Sequence, residues 1–162
     1  MSQRLQSIFF FLSALLFAAL FFLPLAVYYG NENTLVFNVY GIDTLTPALD
    51  NPWPKTFSLP VLVLAITAML LSGFLALGLF RAVKLVQFVK LHRVSRINIV
   101  VIVAWIAVVF GYYIRVIGNP IGAEPTYKVG AFLPLVALIL TVAASSGLKK
   151  DIKKVRSTDR IR

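Results

Sequence analysis

Apolar residues fall in four long blocks along this chain, about Ser7–Tyr28, Leu59–Phe80, Ile97–Ile117 and Ala131–Leu148, with polar connections of unequal length between them. A helix needs roughly 20 apolar residues to cross the hydrocarbon core of a bilayer, so each block qualifies on length, the last one barely. Only such helices, or closed barrels, satisfy every backbone polar group in lipid. The pattern therefore predicts an all-α membrane protein: one domain over residues 1–162, with four antiparallel transmembrane helices.

Within the blocks, small residues recur at helical spacing: Ala14 and Ala18; Ala65, Ala68, Ser72 and Ala76; Ala104, Ala107 and Gly111; Ala137, Thr141 and Ser145. Such stripes let helix backbones approach closely in lipid, where burying apolar area supplies no drive, and they predict a compact bundle. Pro24 lies near the outer end of the first block, where neighbours can rescue the carbonyl it frees.

The connection from Gly30 to Ser58 is the most irregular region. Its Leu35–Tyr40 segment is rich in strand formers and flanked by the turn residues Asn31–Asn33 and Gly41, which predicts a short β-hairpin or edge strand on the outer surface. Pro47, Pro52, Pro54 and Pro60 keep the remainder extended. Tyr28, Tyr29, Trp53 and Phe57 stand where an interfacial aromatic belt would lie. The second connection, RAVKLVQFVKLHRVSR, has neither Gly nor Pro, so the second helix is expected to run on and return tightly near His92–Ser95. Past the last block, Leu148, Ile152 and Val155 share a helical face among lysines. A helix continuing along the inner surface at least to Val155 is expected, with Ser157, Thr158 and Asp159 capping or turning the chain.

Hydrophobic residues make up 59% of the chain, and the mean hydropathy of +0.87 is far above that of soluble domains. The net charge of +10 would suggest nucleic acid in a soluble protein. Its distribution argues otherwise, because thirteen of the sixteen basic residues lie on one side of the blocks. These are Arg4, five residues including Lys84 between the second and third blocks, and seven in the tail. Short basic loops stay cytoplasmic during insertion, so both termini are expected inside and no nucleic-acid partner is expected. Arg4 before an apolar run also describes a signal peptide. The run Ile8–Val27 exceeds the usual 7–15-residue signal core and no small-x-small site precedes Tyr28, so the first block is expected to be retained.

Candidate chemistry is sparse. No cysteine occurs, which excludes disulfides, thiol catalysis and thiolate metal sites. No acid falls inside a block, Asn98 is placed near the inner end of the third, and His92 stands alone in a basic loop. Hydrolase, metalloprotease and phosphate-loop motifs are missing, so neither an enzyme nor a cofactor or metal is expected. Arg115, in GYYIRVIGNP, either snorkels to headgroups, pairs with Glu124, Asp43 or Asp50, or binds an anion or partner. The tail residues Lys149, Lys150, Lys153, Lys154, Arg156, Arg160 and Arg162 are candidates for contact with anionic lipid or a partner.

The opening MSQRLQSIFFFLSALLFAALFFLPLA, the GAFLPLVALIL of the last block and the closing KKVRSTDRIR together resemble a Bacteroidota-type family of small four-span membrane proteins known only as a domain of unknown function. The resemblance covers the whole length, carried by Met1–Arg4, Gly130–Leu135 and Arg156–Arg162, and implies a bacterial inner-membrane setting without an activity. The expected role is a non-enzymatic accessory or scaffold subunit packing against a larger inner-membrane complex; the alternative is a small oligomeric transporter or channel.

Overall fold

The computed structural model describes residues 3–45, 51–82 and 85–159. Pro47, Asp50, Lys84, Arg160 and Arg162 lie outside them, as do any contacts expected of these residues. The chain runs α1 (Gln3–Ala19), β1 (Ala26–Tyr29), β2 (Thr34–Asn38), β3 (Gly41–Thr44), α2 (Leu59–Arg81), α3 (Leu85–Val108), α4 (Ile114–Ile117), β4 (Pro125–Tyr127) and α5 (Val129–Asp159). A π-helical turn, Val109–Tyr113, joins α3 to α4 without a break in the helix. Helix α1 packs on α2 and α5, and α3 packs on the same two, so the long helices stand in a ring in the order α1, α2, α3, α5.

The first apolar block is not one helix. Helix α1 stops at Ala19, where Phe21 and Phe22 donate back three residues in a tightening turn. Pro24 disfavours helical geometry at the residue before it, and the β-branched and aromatic Val27, Tyr28 and Tyr29 continue as a strand. A fully buried strand and a buried helix share the same apolarity, which is why hydropathy merges them.

Strand β1 lies inside a four-stranded antiparallel sheet of order β3-β2-β1-β4. The expected strand at Leu35–Tyr40 appears as β2, pairing with β1 through Val27 and Val36 and with β3 through Phe37 and Ile42. Strand β4 comes from the connection before α5, with Tyr28 opposite Pro125. The sheet closes one end of the bundle. Phe37 stacks on Tyr113 at 5.9 Å and the Tyr28 hydroxyl donates to the Ile114 carbonyl at 2.9 Å. Burial raises the Tyr28 phenol above its ordinary range, with a smaller contribution from Tyr127, so it stays protonated and donates.

At the other end, α2 gives way to extended backbone at Ala82 and α3 begins at Leu85. The return is therefore not at His92–Ser95, which lies within α3; there the Arg96 guanidinium donates to His92 Nε2 at 3.1 Å. Starting twelve residues before the apolar block, α3 places Asn98 well inside the bundle rather than near its end. The tail is helical to Asp159 without a turn at Ser157, whose hydroxyl donates to the Lys154 carbonyl at 2.7 Å.

Two of the small-residue stripes pack as expected: Ala65, Ala68, Ser72 and Ala76 of α2, and Ala137, Thr141 and Ser145 of α5, are all buried. Ala14 and Ala18 of α1 are half-buried. The α3 stripe does not pack, since Ala107 and Gly111 are exposed and Ala104 is half-buried. Larger side chains, Ile102, Trp105 and Val109, carry that face instead. Adding one residue to the turn, the π segment then buries Tyr113 and leaves Tyr112 outside.

Candidate functional site

The bundle holds two apolar cores, one above the other. At the sheet end, Phe17, Leu20, Val61, Ala65, Ile102, Trp105 and Ala137 pack together with the sheet's inner face. Phe17 meets Trp105 edge-on at 6.1 Å, and the indole N–H donates to the Val61 carbonyl at 3.0 Å. At the tail end, Phe10, Leu75, Leu79, Leu91, Ala144 and Leu148 form a second cluster, with Ile152 packed against it. Besides the buried Ser95 of α3, each long helix carries a buried polar residue between its contributions to the two cores: Ser13, Ser72, Asn98 and Thr141.

These four side chains are wholly buried and bonded to one another. The Asn98 amide donates to Ser72 Oγ at 2.8 Å. Ser13 Oγ stands 3.0 Å from Thr141 Oγ1 and 3.4 Å from Ser72 Oγ. Thr141 also donates to the Ala137 carbonyl at 2.8 Å. Nearer the tail, the Ser7 hydroxyl donates to the Ala76 carbonyl at 2.6 Å, and Ser95 meets Ser145 at 2.8 Å. The buried Gln6 amide donates to Asp151 at 2.5 Å. Every neighbouring pair of helices is thus bridged by a polar contact. Among the described residues of the helices, the side-chain carbonyl oxygens Asn98 Oδ1 and Gln6 Oε1 are buried without a hydrogen-bond partner.

The outside is the reverse of the inside. Leu70, Phe74, Leu77, Val100 and Ile139 are each more than half exposed, so the bundle presents apolar side chains to its surroundings and keeps hydroxyls and amides within. In water such a surface is a liability, whereas in lipid it is the expected arrangement.

Sequence reasoning treated Ser72, Thr141 and Ser145 as small spacers and Asn98 as an end residue. The available signal was one uncharged polar residue in each helix at matching depth, visible only once α3 is started at Leu85. Of the expected contact residues, Arg115 is exposed on α4, with no hydrogen bond or ion pair among the described residues. Lys149, Lys150, Lys153, Lys154 and Arg156 are exposed along the end of α5. The structure does not bring Arg115 and the tail together, as they occupy opposite ends of the molecule. No cluster of His, Asp and Glu suited to a metal ion occurs among the described residues.

Among the described residues, three helices are long and apolar enough to cross a membrane, Lys55–Arg81, Val86–Ile121 and Val129–Ser157 with their short helical extensions, while Arg4–Ala19 is a shorter apolar helix. That is the build of a membrane protein. The chain belongs to the family described as a domain of unknown function (DUF4293), whose profile it matches over residues 2–161. Neither the curated proteins nor the solved structures contain a match.

Proposed function

We propose that this protein is a non-enzymatic accessory or scaffold subunit of a bacterial inner membrane, packing against a larger membrane assembly. The observation that carries the reading is the polar layer itself. Its hydroxyls and the Asn98 amide N–H bond one another between helices, and the layer holds no ionisable group for chemistry or ion coupling. Such a layer fixes which helix faces meet and at what height, the role best attested for buried polar groups in bundles. On this reading α1 crosses the membrane as a fourth span, shorter than the others, with the sheet lying over its outer end. Both termini are cytoplasmic, as the basic residues at that end favour. The exposed tail lysines and Arg156 contact anionic headgroups or the partner.

The experiment is gentle extraction followed by mass spectrometry of co-purifying proteins, run on the full chain and on a chain ending at Val155. A stoichiometric membrane partner, depleted at least about tenfold by the truncation, is the expected result. The layer would also serve the second reading, a small oligomeric transporter or channel. A homogeneous homo-oligomer that conducts ions in liposomes, with no partner, would replace the first reading with that one.

A further inference from the structure

At the tail end of the bundle, a cleft of about 280 Å³ lies between the last turns of α2 and the first turns of α3. On α2, Phe74, Gly78 and Arg81 follow one another at helical spacing, so one stripe changes from apolar to cationic as it nears the end of the helix. On α3, Lys90 and Leu91 face the same cleft. A Cβ at Gly78 would stand 2.7 Å from Leu91 Cδ2, so the glycine is what lets the Leu91 side chain lie against α2 and form the floor of the groove. Arg81 and Lys90 are both exposed, and none of the lining residues is acidic. Above the cleft, the exposed Leu70, Phe74 and Leu77 continue the apolar outer face of α2.

We infer that this cleft binds one anionic phospholipid, its phosphate held between Arg81 and Lys90 and an acyl chain lying along Phe74 and Gly78. Charge complementarity selects an anion, and the continuous apolar wall leading away from the cations selects one that carries a hydrocarbon chain. A guanidinium offers paired donors to phosphate oxygens while the lysine adds a mobile point charge. The site is separate from the tail, and it stands whether or not the chain joins a larger assembly.

Native mass spectrometry of the detergent-purified full chain tests it, with phosphatidylglycerol, phosphatidylcholine or glycerol 3-phosphate added. One phosphatidylglycerol should survive activation that strips phosphatidylcholine, and millimolar glycerol 3-phosphate should not displace it. Two charges near the surface correspond to roughly thirtyfold in affinity, so R81Q/K90Q should lose the adduct by about that factor, and R81Q and K90Q each by a part of it. A K150Q/K153Q/K154Q variant should keep the adduct. Retention by R81Q/K90Q, equal retention of phosphatidylcholine, or loss of the adduct in the tail variant would overturn the assignment. Displacement by glycerol 3-phosphate would make the cleft a site for soluble anions instead. Should the double variant fail to fold, the single variants decide between these outcomes.

Discussion

Asn98 and Trp105 lie two turns apart on α3 and hold the bundle by different means. Asn98 makes one hydrogen bond and leaves its own carbonyl oxygen without a partner. Hydrogen bonds between helices in lipid average only about 0.6 kcal/mol, and removing an orphaned acceptor returns part of that. Asn98→Leu should therefore cost less than about 1 kcal/mol in a reversible detergent-unfolding measurement. Trp105 fills the centre of the sheet-end core, makes the edge contact with Phe17 and donates to Val61. Trp105→Ala should cost about 3–5 kcal/mol in the same measurement. If the order were reversed, the polar layer and not the packed indole would be the main source of stability.

At the scale of elements, the junction between α1 and the sheet is a place of close backbone contact. The start of α5 passes so close to the chain entering β1 that a Cβ at Gly130 would fall 2.5 Å from the Pro24 carbonyl oxygen. Gly130→Ala should destabilise by about 1–3 kcal/mol, because backbone on both sides must shift. Gly73→Ala, inside α2 with open space around it, should instead be neutral or stabilising by up to about 1 kcal/mol. Thermal unfolding of the two variants side by side is the measurement. The same junction limited what the sequence could tell. Hydropathy located the apolar segments of α2, α3 and α5 because long uniform runs leave few alternatives, and the strand formers of β2 were readable from their composition. Ala26–Tyr28 were not, since three consecutive buried residues of a strand show no alternation to detect. The start of α3 was missed because a connection with neither Gly nor Pro read as a continuation of α2, which put the return near His92–Ser95. With it went the depth of Asn98, and hence the layer that Asn98 completes with Ser13, Ser72 and Thr141.

For the whole molecule, the placement of charge is the property to test. The tail end carries Arg4, Arg81, Lys90, Arg93, Arg96 and the exposed α5 lysines, whereas the sheet end mixes Lys55, Arg115 and Lys128 with Glu32, Asp43 and Glu124. A reporter fused after Arg162 should be cytoplasmic and one inserted near Asn51 should be on the opposite side. Two reporters on the same side would leave an even number of crossings among α2, α3 and α5, and a third reporter at the N-terminus decides α1: cytoplasmic if α1 crosses, on the Asn51 side if it lies on the surface.

Helix α5 has a mechanical consequence as well. Its 31 residues form one uninterrupted helix, about 46 Å from end to end. One end is wedged against Pro24, and the other is a lysine-studded extension whose side chains are exposed beyond Ile152. Pro134 deprives Gly130 of its helical hydrogen bond, which puts the softest point of this strut close to the sheet. A bend of this strut is therefore expected at that point, just after β4, rather than along the stretch that packs on α1 and α3.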